Sequence, residues 1–222
     1  MILSYLTHKK WTFKDNGLTI LATQSPIVFQ DLIQSFQGNK KMLICTDDSY
    51  QSLELEKVFD FVGDVLLSGD VTKKYMLHIE KSYITNLDED NRNKIFVAFN
   101  NLETVLQDSL LLEDLPLDIN FDEDLKKLIK MTELHLDSKI KLEPYAIIET
   151  VLKIHQICNI KTIPVICNVA HYLDEQKMQE LYELVKQVNI PLILIEFTSP
   201  DLLIVPKNVQ FYYIDKDLID WY

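Results

Sequence analysis

Apolar and polar positions along this chain change period several times, and each change marks an element. Residues Tyr5–Phe13 and Leu18–Thr23 read as two β segments joined by a turn at Lys14-Asp15-Asn16-Gly17. Ser25-Pro26 offers an N-cap followed by proline at the first helical position. Ile27, Phe29, Leu32, Ile33 and Phe36 continue that helix, and Gly38 is its stop. Lys41–Thr46 predicts a short buried strand. From Leu53 to Gly69 apolar residues are too dense for periodicity to separate strand from helix.

Between residues 70 and 112 the helical period is clear. Met76, Ile79 and Tyr83 form one stripe, and Ile95, Phe99, Leu102, Leu106 and Leu110 another, separated by the polar stretch Asn86–Asn93. An acidic loop, Glu113–Phe121, leads into a helix over Asp122–Met131. The last third then alternates: helix Pro144–Cys158, strand Thr162–Cys167, helix Asp174–Val188, strand Pro191–Phe197 and strand Gln210–Ile214. Continuously apolar strands between helices predict a mostly parallel sheet covered on both faces. The expected organisation is an α/β head from residues 1–60 and 142–222, with residues 61–141 inserted as a helical leg. The apolar tail Leu218–Tyr222 is expected to dock onto the head or onto a partner subunit.

Composition narrows the function. Only four glycines stand in 222 residues, against a usual share of about 7%. Gly17, Gly38, Gly63 and Gly69 are isolated and begin neither GxxxxGK[ST] nor GxGxxG, so the bare backbone that cradles a phosphate is missing. The formal net charge of −12 argues against a generic nucleic-acid coat, so any DNA contact has to use a local basic face. Cys45, Cys158 and Cys167 lack metal-ligand spacing and read as small buried hydrophobes in a reducing compartment. No apolar run approaches the roughly 18 residues of a membrane span, and no secretory pattern opens the chain, so a cytoplasmic protein without membrane contact is expected.

Two segments carry candidate chemistry. Asp118, Asp122, Glu123 and Asp124, with Glu113 nearby, could converge on a hard cation such as calcium, which takes oxygen ligands. The spacing is not that of an EF-hand: Glu123 stands where glycine is required and Ile129 where glutamate is. The competing reading is that Asp122, Glu123 and Asp124 complement the positive end of the helix they begin. On that helix Lys126, Lys127 and Lys130 cluster opposite Leu125, Leu128 and Ile129. Lysines suit sequence-independent phosphate contact, and Arg92 is the sole arginine, which disfavours base reading. An ordinary solvated face remains the alternative. Lys139 and Lys141, and the pair Lys9-Lys10, are weaker DNA-binding candidates. The five histidines have no ligand spacing, and Ser199 and Cys167 sit in no nucleophile elbow or dyad, so no catalytic residue is assigned.

The stretches Thr162–Asn168 (TIPVICN), His171-Tyr172-Leu173-Asp174 with the helix to Val188, and Pro191–Phe197 (PLILIEF) resemble the DNA-end-binding accessory protein family of type II-A CRISPR systems. Glu113–Leu136 (EDLPLDINFDEDLKKLIKMTELHL) matches the acidic segment that enters a helix in that family. The resemblance covers nearly the whole chain as a pattern. It implies an α/β head with a sheet like that of P-loop nucleotide hydrolases but without a phosphate loop, plus an inserted helical leg. It also implies a ring-shaped homotetramer with a positively lined hole that binds double-stranded DNA ends and does no bond chemistry. Calcium held by the acidic segment would order the leg, and the ring would serve spacer acquisition with the integrase and the effector nuclease. Two other readings stay open from the residues alone: a degenerate, metal-dependent nuclease, and an acidic protein-interaction module with no nucleic-acid role.

Overall fold

The computed structural model describes residues 1–13, 16–111, 117 and 124–221. The chain separates into two compact units, Met1–Tyr75 with Leu136–Tyr222, and Met76–His135. The first unit reaches further than the sequence pattern suggested: the stretch 53–69, whose period separated neither strand from helix, holds strand β5 (Ser52–Leu53), the single-turn helix α2 (Leu55–Val58) and strand β6 (Phe59–Asp64). Because β6 hydrogen-bonds to a C-terminal strand, the residues from 61 to Tyr75 belong with the head rather than with the helices that follow.

The head holds two sheets. Strands β1 (Ile2–Tyr5), β2 (Trp11–Thr12), β4 (Leu43–Thr46) and β5 form an antiparallel sheet in the order β2-β1-β4-β5. The larger sheet contains β3 (Leu18–Thr23), β6, β7 (Ile163–Cys167), β8 (Leu192–Phe197), β9 (Gln210–Ile214) and β10 (Asp220–Trp221), ordered β10-β9-β3-β8-β7-β6. Every pairing in it is parallel except β10 on β9. Lys14 and Asp15 of the turn expected at residues 14–17 lie outside the described residues. A left-handed Leu6 (φ 47°) and a turn from His8 N–H to Tyr5 O break the segment 5–13. β3, buried at every position, pairs with β8 and β9 in the centre of the large sheet instead of folding back on β2.

Burial explains the elements. Leu21, Val165, Cys167, Ile193 and Ile195 on one face of the large sheet cluster with Leu3, Tyr5, Trp11, Leu43 and Cys45 of the small sheet. Helix α1 (Pro26–Phe36) contributes Val28, Leu32 and Phe36 to the same core. Ile20, Ile166, Leu192 and Leu194 alternate onto the opposite face and are also buried. Helices α6 (Pro144–Ile157) and α7 (Glu175–Val188) pack together and bury Val151, Leu152, Met178, Leu181 and Val185. The tail docks on the head: β10 pairs with β9, and Asp220 accepts hydrogen bonds from the Lys9 amide and pairs with His8.

The outer strand β6 is irregular. Its register slips between Phe61 and Gly63, and Gly63 takes a left-handed conformation (φ 82°) that favours glycine. Lys74 donates to the Phe61 carbonyl at 2.7 Å and Ser68 to the Val62 carbonyl at 3.0 Å.

In the second unit α3 (Thr72–Asn86), which starts in the head, is followed by α4 (Glu89–Leu110). The polar break expected over Asn86–Asn93 shrinks to Leu87 and Asp88, because Asp88 caps α4 by accepting the Asn91 N–H. Helix α5 spans Leu125–Lys130.

Candidate functional site

In open α/β sheets ligands sit beyond the carboxyl ends of the strands, where neighbouring strands send their connections to opposite sides. Here that point lies between β3, whose chain runs on to β6 at one edge, and β8, whose chain runs on to β9 on the other side. Only Gln24 and Ser25 separate β3 from α1, so no loop wraps a phosphate there. The short connection is closed on itself: Ser25 N–H donates to Thr23 Oγ1 at 3.0 Å, Val28 N–H reaches Ser25 Oγ, and Thr198 N–H donates to Thr23 O. The α/β class with a mostly parallel sheet expected from the sequence is present.

Acid groups gather at this edge. Asp64 ends β6 and accepts from Tyr172 Oη at 2.6 Å, Asn168 Nδ2 at 3.1 Å and the Leu66 amide. Burial pushes its carboxyl up, but the bonds from Tyr172, Asn168 and the Leu66 and Leu67 amides outweigh that and hold it below the usual aspartate value. Asn168, left-handed at φ 61°, turns the chain out of β7 into a single 3-10 turn, Val169–His171. Glu196 near the end of β8 accepts from the Ala170 amide at 3.2 Å and is 1% exposed. Burial, reinforced by Asp64 and partly offset by the Ala170 and Val169 amides, lifts its pKa to about 8. An anionic ligand would meet two carboxyl groups here. Sequence reading passed over Glu196, although a carboxylate inside the apolar run Leu192–Phe197 was its signal.

A second cluster was not visible in the sequence. Asp60 on β6 accepts from Tyr75 Oη at 2.5 Å, pairs with Lys74 and lies 3.1 Å from Nε2 of the fully buried His155. Burial alone would raise the Asp60 carboxyl, but these partners win and hold it at about 2. Asp70 accepts the Thr72 and Leu136 amides, with Lys141 Nζ at 3.6 Å. Tyr75 and Leu136 are the residues at which the head's two segments end and resume, so one aspartate holds each. A cavity of ≈ 590 Å³ opens at the opposite, amino edge of the sheet, lined among others by Lys57, His155 and Lys161. Lys57 is paired with Glu54 and Lys161 with Asn159, so both lysines are already engaged.

The sequence-predicted sites fall in both units. Lys126, Lys127 and Lys130 are exposed on α5, while Leu125 and Ile129 are buried. The basic and apolar sides of that helix are therefore as the period implied. Lys139 and Lys141 fall in the head, Lys139 exposed and Lys141 near Asp70. Lys9 and Lys10 are exposed between β1 and β2, with Lys10 Nζ 4.9 Å from the Tyr50 ring centre. Of the acidic candidates, Glu113, Asp118, Asp122 and Glu123 lie outside the described residues. Asp124 is the N-cap of α5, accepting the Lys126 amide at 2.9 Å, so the helix begins at Leu125 rather than at Asp122. Among the described residues no three metal-ligating side chains converge.

No protein-family model matches this chain, and no curated protein matches it either. Among solved structures it resembles Stu0660 of Streptococcus thermophilus with a TM-score of 0.60 and 11% identity, over 100% of this chain and 76% of the other. At that identity the likeness is one of fold: this chain is built like Stu0660 along its whole length.

Proposed function

We propose that the chain binds the ends of double-stranded DNA without sequence preference and without cutting them, as a calcium-stabilised homotetrameric ring in CRISPR spacer acquisition alongside the integrase and the effector nuclease. The observation that carries this reading is the row Lys126, Lys127 and Lys130, exposed opposite the buried Leu125 and Ile129 on a chain whose formal net charge is −12. Lysines are point charges suited to phosphate contact without base reading, and several copies acting together turn weak contacts into useful affinity. The closed β3–α1 connection supports a role other than nucleotide hydrolysis. The fold shared with Stu0660 agrees with the α/β head that the sequence resemblance implies.

The test is a gel shift of linear against covalently closed circular duplex of the same sequence, with and without calcium, together with molar mass in solution. Retention of the linear form alone, by a species four times the chain mass, is expected. Equal retention of both forms, cleavage of either, or a monomer in calcium overturns the proposal.

A further inference from the structure

Glu196 does not suit its surroundings. It is 1% exposed within an apolar strand; one carboxyl oxygen accepts the Ala170 amide, while Oε2 is buried with no hydrogen-bond partner. The titratable groups that act on it or feel it are Asp64 at the end of β6, Cys167 at the end of β7 and Tyr172 just after the 3-10 turn. Among the described residues neither Glu196 nor Asp64 is paired with a lysine, arginine or histidine. The segment Asn168–Tyr172 is thus tied twice: to β8 through Glu196, and to β6 through Asp64, which holds Asn168 and Tyr172. A buried carboxylate with an open oxygen and a second carboxylate acting on it lacks both water and counter-charge, so the closed arrangement suits the protonated acid.

We infer that Glu196 is a proton-operated latch on the carboxyl edge of the sheet. Neutral, it lets the segment Asn168–Tyr172 close over the ends of β7 and β8; ionised, it favours a locally open state in which water reaches the carboxylate. The sign follows from linkage. The closed state holds the proton up to a pH of about 8, whereas a hydrated glutamate releases it near 4.5. Opening therefore increases about tenfold per pH unit between those values and levels off above the upper one. The latch involves head residues only and stands apart from the DNA-binding proposal.

The experiment is native-state amide hydrogen exchange by NMR on the full chain, as protection factors from pH 5.5 to 9, in the natural protein and in Glu196→Gln. In the natural protein, Ala170 protection is expected to fall about tenfold per pH unit up to about pH 8 and then flatten. It should stay below that of Leu194 throughout, and Glu196→Gln, which keeps the shape but cannot ionise, should give a flat profile. Parallel profiles in the two proteins, or equal protection at Ala170 and Leu194, overturn the latch. Should the variant not fold, the side-chain carboxyl carbon resonance of Glu196 in the natural protein decides: a midpoint near pH 8 supports the latch, and one near 4.5 removes it.

Discussion

Tyr75 donates to Asp60 and Lys74 pairs with it beside the fully buried His155, so exchanging that carboxylate for an amide weakens the acceptor of one and removes the counter-charge of the other. Asp60→Asn is expected to cost about 2–4 kcal/mol in urea denaturation at pH 7, less than a fully buried pair because Lys74 is half in water. The carboxyl titrates at about 2 in the folded chain against 3.8 ordinarily. Its contribution is therefore complete above pH 4, and the gap between variant and natural protein should close as pH falls from about 4 to about 2. A protein without this cluster would show no such convergence. None of this was readable from the sequence, because β6, α3 and α6 bring the partners together from distant positions. Lys126, Lys127 and Lys130, by contrast, were readable as a row, since a helical period fixes which side each residue takes.

At the level of elements, what was legible depended on whether the pattern was local. β7, β8, α6 and α7 stand within a residue or two of their expected ends, and Asp174 turned out to cap α7 by accepting the Lys177 amide at 2.8 Å. Asp174→Ala is expected to cost about 1 kcal/mol, measured as a shift in the urea midpoint. Strand partners were not legible: period two says which face a residue takes and nothing about which strand lies beside it. The segment Tyr5–Phe13 read as one strand, whereas β1 and β2 stand near its two ends and pair with each other, and β1 pairs also with β4. The irregular β6 makes a second prediction at this scale. Gly63→Ala places a side chain on a left-handed backbone and brings its Cβ to 3.3 Å from Ser68 Oγ. A loss of about 1–2 kcal/mol in thermal unfolding is expected, and an unchanged melting temperature would show that the bulge relaxes without glycine.

For the molecule as a whole, charge sets the terms of any contact with DNA. At −12, a single copy repels a duplex at long range, and only a confined basic row repeated in several copies can reverse that balance. Reversing the three α5 lysines (Lys126→Glu, Lys127→Glu, Lys130→Glu) is expected to weaken binding of linear duplex more than tenfold at low salt and to flatten its salt dependence. Affinity and slope that stay unchanged would move the interface elsewhere. Calcium belongs to the same scale: a chelator should lower the melting temperature and added calcium restore it, and indifference to both would remove the ion from the account.

The larger sheet ends at a bulged β6 whose Phe61 and Val62 carbonyls are already taken by Lys74 and Ser68, and at a two-residue β10. The small sheet ends at β2 and β5, also two residues each. Among the described residues neither sheet offers a long, straight margin on which another chain could template itself, which guards this apolar α/β core against edge-to-edge polymerisation into fibrils.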